Sequence, residues 1–242
     1  MRGDRKRGIS HIEVITAFIL FIGFVGVALY FFSPTNSSRL IESTLNYGVR
    51  EVEKNTSVDV ETYSIKIMES DGNDTIGLLG LSSNLGEKAR AESSEHILLP
   101  TNKNTGSVSV NRSAAQQDKD FFVVRFSEGI TLEESIPYVA VNLAYNISSV
   151  QKEKMISESR IKNLAAIYTS SDENYRNLKE KNFNLPARID FGFSVIFRDG
   201  VEKISALRTQ EKGVEVFSNS KDVEIIRENG ATEFGKLVVY VW

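Results

Sequence analysis

From Val14 to Phe32 the chain carries no charged side chain, and Thr16 is the one clearly polar residue in the run. No other feature of the sequence constrains the fold as strongly. A helix of this length rises about 1.5 Å per residue and reaches roughly 28 Å, close to the roughly 30 Å of a bilayer's hydrocarbon core. Arg2, Arg5, Lys6 and Arg7 precede the run, with Asp4 the one acid among them, and no Lys or Arg follows until Arg39. Positive flanks stay on the cytoplasmic side, so this asymmetry predicts a single-pass membrane protein with its N-terminus cytoplasmic and the rest of the chain outside. Tyr30, Phe31 and Phe32 are placed to anchor the outer interface.

The composition narrows the function classes. The net charge is −3, from 29 Lys+Arg against 32 Asp+Glu, and the basic residues are scattered among acids. That balance offers no footprint for nucleic acid. The chain has no cysteine, which excludes disulfides, cysteine-based zinc sites and thiol nucleophiles. Setting aside the membrane segment leaves roughly 205 residues, enough for one domain with its own core.

Three kinds of segment share such an apolar run. A secretory signal has a shorter apolar core followed by a small-residue cleavage site, and no such site follows here. A plain single-pass anchor explains the length and charge asymmetry but gives no role to Glu13 at the edge of the span, where an acid is costly. The third kind is a leader cut before the apolar run. In this reading residues 1–8 form a basic leader ending "KRG", cleavage falls between Gly8 and Ile9, and the mature chain begins "ISHIEVITAFILFIGF".

This arrangement resembles the type IV pilin and pseudopilin family, archaeal pilins included, whose class III signal peptides end in a small residue, usually Gly. The fifth residue after the cut is typically Glu in that family, and here it is Glu13. His11 departs from a stretch that is usually apolar or small. The resemblance covers residues 6–32. It implies a prepilin peptidase as processing enzyme, other pilin-like subunits and the pilus assembly machinery as partners, and a structural role with no enzymatic activity. It also implies that Glu13 is an assembly determinant, pairing with the new amine of Ile9 on a neighbouring subunit. A buried acid is far less costly when paired. The alternative for Glu13 is a side chain that snorkels into the headgroups. Gly23 and Gly26, with Ala17 and Ala28, permit close helix packing, although glycine is frequent in membrane helices generally.

Residues 9–34 are therefore expected to form the transmembrane helix, 35–56 an amphipathic stalk helix, and 57–242 an α+β, mainly antiparallel β-rich extracytoplasmic head. Ser33-Pro34 marks a break, and Leu40, Ile41, Leu45, Val49 and Val52 have helical spacing. Strands are expected at 57–68, 107–110, 120–126, 187–197 and in "GVEVF", "DVEII" and "KLVVYVW", with 136–145 a further candidate. Residues 150–181 read as one or two helices, "ENGATEFG" (228–235) as a loop, and 70–117 as the least organised stretch.

Candidate sites in the head are few. Asn36, Asn55, Asn73, Asn111 and Asn146 begin N-x-[ST] sequons, Asn146 the least suited because it lies in a possible element. "DGNDT" (71–75) fails the EF-hand pattern, with Ile76 where glycine is required and Ser82 where Glu is required, so it reads as a polar turn and no metal site is expected. His96 is the sole histidine beyond the membrane run, with no nucleophile elbow around it. No cofactor is expected. The size of the head favours a minor or tip subunit. The alternative function is a non-polymerising, membrane-anchored binding or adhesion protein.

Overall fold

The computed structural model describes residues 11–31, 34–68, 72–132, 136, 143–198, 200, 203–210 and 212–242. The chain divides into two units, Met1–Thr44 and Leu45–Trp242.

The first unit holds helix α1 (His11–Phe31) and the opening of α2 (Pro34–Thr56). No proline or charge interrupts α1 after Glu13. Pro34 opens α2, where a missing N–H costs nothing because the first turn has no intrahelical acceptor for it. Three successive side chains close α2 by satisfying its last carbonyls. Asn55 Nδ2 donates to Glu51 O, Thr56 Oγ1 to Val52 O and Ser57 Oγ to Glu53 O, each at 2.7 Å.

The second unit is a curled, mainly antiparallel sheet. Its strands are β1 (Ser57–Ile67), β2 (Thr75–Leu79), β3 (Ala89–Ser93), β4 (Leu98–Leu99), β5 (Thr101–Asn104), β6 (Ser107–Asn111), β7 (Phe121–Phe126) and β8 (Tyr145–Ser157). Helices α3 (Glu158–Ser170) and α4 (Asp172–Asn177) and a π-helical turn (Leu178–Asn182) follow. The chain finishes with β9 (Phe191–Phe197), β10 (Lys203–Ala206), β11 (Phe217–Ile226) and β12 (Thr232–Val241). The large sheet runs β10-β9-β12-β11-β8-β1-β7-β3-β4, and β2-β6-β5 form a second, small sheet.

Each half of the large sheet has its own core. In β9, β12 and β11 the paired residues Phe193, Val239 and Asn219 share a face, as do Val195, Leu237 and Lys221. Helices cover that face. Leu45, Gly48, Val49, Val52 and Thr56 form the buried stripe of α2, at the helical spacing expected of it. A Cβ on Gly48 would lie 3.2 Å from Val239 Cγ1, so the helix backbone rides close on the strand. Asn46 and Glu53 reach Asn219 and Lys221 at 2.7 Å. Tyr168 of α3 sets its ring edge-on to Phe191, Phe193 and Tyr175. In the other half the small sheet is the cover, with Ile76, Leu78, Val108 and Val110 packed with Ile65, Phe122, Val124 and Phe126 of β1 and β7.

Several sequence expectations change. Residues 150–157 are strand, not helix. Gln, Lys, Glu and Met favour a helix locally, but Lys152 and Lys154 stand opposite Glu61 and Asp59 on β1, and this pairing overrides propensity. The stretch 70–117 contains five short strands divided between the two sheets, β3 and β4 in the large one and β2, β5 and β6 in the small one. Of "GVEVF" only Phe217 is strand, opening the β11 that runs on through "DVEII", and the loop at 228–235 shrinks because Thr232–Gly235 pair with Ile226–Val223. Strand β9 begins at Phe191, four residues inside the expected start. Most of the candidate strand 136–145 lies outside the described residues.

Candidate functional site: the N-terminal helix

Helix α1 places Glu13 in its first turn, where the helix N-terminus favours an acid. Glu13–Tyr30 is long and apolar enough to cross a membrane, and none of it is buried within the chain. Phe18, Ile19, Leu20 and Phe21 are each more than 60 % exposed. These residues point in every direction around the axis, so the helix has no polar face to present to water. A helix apolar on all sides requires an apolar medium or other helices. Carbons built on Gly23 and Gly26 would meet nothing within 4 Å, so both positions keep a smooth, open surface. Gly8 and Ile9, the expected cleavage pair, lie outside the described residues.

The sequons are scattered. Asn36 lies in α2. Asn55 is exposed, with its amide engaged in closing the helix at Glu51 O. Asn73 is exposed between β1 and β2. Asn111 ends β6 half-buried, with its Oδ1 accepting from Ser113 N at 2.9 Å. Asn146 is exposed on β8. Asn73 and Asn111 come together beside the β2–β6 pair, where Arg112, next to Asn111, bonds Asn73 O; Asn55 and Asn146 lie on other elements.

The turn around Asn73 is organised by an arginine that sequence reading passes over. Arg112, 1 % exposed, donates to Asn73 O at 2.6 Å, Lys119 O at 3.0 Å and Asp120 Oδ1 at 2.9 Å. Asp74 binds Lys119 at 2.8 Å. Among the described residues no group of three His, Asp or Glu side chains is placed to hold a metal ion. His96 sits in the β3–β4 turn with φ 61, exposed, its Nδ1 2.7 Å from Glu92 Oε1. The second carboxylate oxygen of Glu92 is held by Arg125. The neighbouring Ser93 Oγ accepts from the backbone N–H groups of Glu95 and Ile97, a turn-forming role.

Searches against protein-family models, curated proteins and solved structures find no match to this chain.

The other charged clusters in the head hold elements together. Glu158, buried in the first turn of α3, binds Lys162 at 2.8 Å, Arg227 at 3.0 Å and the N–H of Glu228 at 3.1 Å. Burial pushes its pKa up, but the hydrogen bonds from Lys162 and Glu228 and the two cations outweigh this and hold it below the usual glutamate range. Asp190 behaves in the same way. Burial opposes its charge, and Tyr175 at 2.7 Å and Lys179 at 2.9 Å more than restore it, lowering its pKa. Apart from the Glu158–Lys162 pair, four residues apart on α3, the members of these networks lie on different elements and carry no sequence signal.

Proposed function

We propose that this chain is a prepilin-like structural subunit of a type IV pilus-like filament or pseudopilus. A membrane prepilin peptidase removes residues 1–8, and the mature subunit, with its head outside the cell, assembles by packing its N-terminal helix against those of other subunits. One observation carries the reading. The exposed, all-round apolar helix α1 has a single acid, Glu13, and that acid stands in its first turn. An anchor needs the apolar length alone. The acid at a fixed distance from Gly8 is what the assembly reading accounts for, because a new amine on Ile9 of a neighbour neutralises it as the helices leave the lipid. The chain is assigned no catalytic role, cofactor or nucleic-acid partner.

Terminal peptide mass spectrometry on protein from its native membrane or surface fraction tests this directly. A start at Ile9 supports the reading. A start at Met1 or Arg2, in a host with a working prepilin peptidase, replaces it with a membrane-anchored binding module. Glu13→Ala is expected to leave cleavage and membrane insertion intact while filaments, counted by electron microscopy, are lost. Normal filaments from that variant would remove the role given to Glu13.

A further inference from the structure

The large sheet is continuous in strand order but not in hydrogen bonding. β8 and β11 run parallel and meet through two residue pairs, Ile156 with Ile225 and Ser157 with Ile226. Back from this junction β8 continues to Tyr145 and β11 to Phe217, and among the described residues neither facing edge has a partner. Every residue from Asn146 to Lys154 is exposed. Two rows of free backbone N–H and C=O groups therefore diverge from one point.

Charge disfavours a longer pairing. Continuing the Ile156–Ile225 register one residue at a time would set Lys152 opposite Lys221 and Glu153 opposite Asp222. Like charges directly opposite one another destabilise a sheet, and here they would meet on both faces. The two lysines turn elsewhere, Lys152 to Glu61 at 2.6 Å and Lys221 to Glu53 at 2.7 Å. On the other face the acids are left with little compensation. Glu153 and Glu224 have no basic partner among the described residues, and Asp222 has Lys236 at 4.0 Å. A cleft of about 470 Å³ opens on this face, with Gln151, Glu153 and Met155 of β8 on one side and Glu224, Thr232 and Phe234 on the other. Its two arginines stand back from the gap. Arg125 holds Glu92, and Arg198 follows β9, three strands out from β8.

We propose that this gap accepts an extended polypeptide segment of another protein, with basic side chains at alternate positions. A strand laid between the two edges hydrogen-bonds to both, and its period of two sends every second side chain to the face of Glu153, Asp222 and Glu224. The half-open Phe234 ring and Met155 cover the aliphatic stems of lysine or arginine there. The inserted strand separates the like charges that a longer β8–β11 pairing would bring together. The site belongs to the head and is independent of the filament reading.

The test uses the full chain in detergent micelles and a short peptide of alternating lysine and valine, with its glutamate–valine counterpart as control. The lysine peptide is expected to bind and the glutamate peptide not to. Amide hydrogen exchange should slow on 146–154 and 217–224 together. Glu153→Lys combined with Asp222→Lys, both exposed positions, should weaken binding at least about tenfold while the exchange pattern of the rest of the head is unchanged. No binding of the lysine peptide, equal binding of the two peptides, or protection of one edge alone overturns the proposal. So does protection of both edges that rises with protein concentration in the absence of peptide, which identifies a second copy as the occupant.

Discussion

Helix α1 and the head treat apolar side chains in opposite ways. In α1 Phe24 is 73 % exposed and Leu20 68 %, whereas in the head Phe191, Phe193, Val195 and Val239 are fully buried. Both regions are rich in the same residue types, so hydrophobicity does not distinguish them. The difference is the presence of a complementary surface. Strand alternation gives the head two-sided elements whose apolar sides find one another, while α1 is apolar on every side and none of its apolar window is buried among the described residues. Its hydrophobic free energy is left for something outside the chain to satisfy.

If the two regions answer to different surroundings, substitutions should separate them. Phe193→Ala removes a ring from the packed core beneath α3 and should cost the head about 4 kcal/mol, read from chemical denaturation, while recovery in the membrane fraction is unchanged. Parallel loss from membranes at a temperature where the head stays folded would break the separation. Leu20→Arg should have the converse effect, costing about 3 kcal/mol in membrane insertion with the head's denaturation midpoint unaltered. A lowered midpoint in that variant would mean that α1 supports the head. Glu158→Gln sharpens the comparison within the head and should cost about 2 kcal/mol by loosening the join between α3 and the β11–β12 turn.

The pH dependence of that join follows from the sign of the shift. The folded pKa of Glu158 lies below its unfolded value, so its contribution is complete above the unfolded pKa. It is lost as the pH falls through the lowered folded value. A head whose stability is flat through that window, or an E158Q variant with the same acid sensitivity as the parent, would show that the network does not act through this carboxylate.

Much of the architecture is visible in the residues themselves. The apolar run, the buried stripe of Leu45, Val49 and Val52, and the alternation of 57–67 and 121–126 depend on spacing alone, and each appears as the helix or strand its period dictates. Residues 150–157 mislead because their helix propensity is local, whereas the acids of β1 that hold them extended lie about ninety residues earlier in the chain. Arg112 and Glu158 carry no motif, since apart from Lys162, four residues after Glu158, the groups they bind lie on other elements or loops.

For the candidate site the division is similar. Glu13, its distance from Gly8 and the apolar helix behind it are properties of consecutive residues, so the sequence by itself determines them. Whether α1 is covered inside the chain depends on more than its own residues, and among the described residues none of its apolar window is buried. The gap between β8 and β11 could be decided only there as well. The fold sets the two strands in a parallel register, where a longer ladder would bring Lys152 and Glu153 against Lys221 and Asp222, some seventy residues away, charge for like charge.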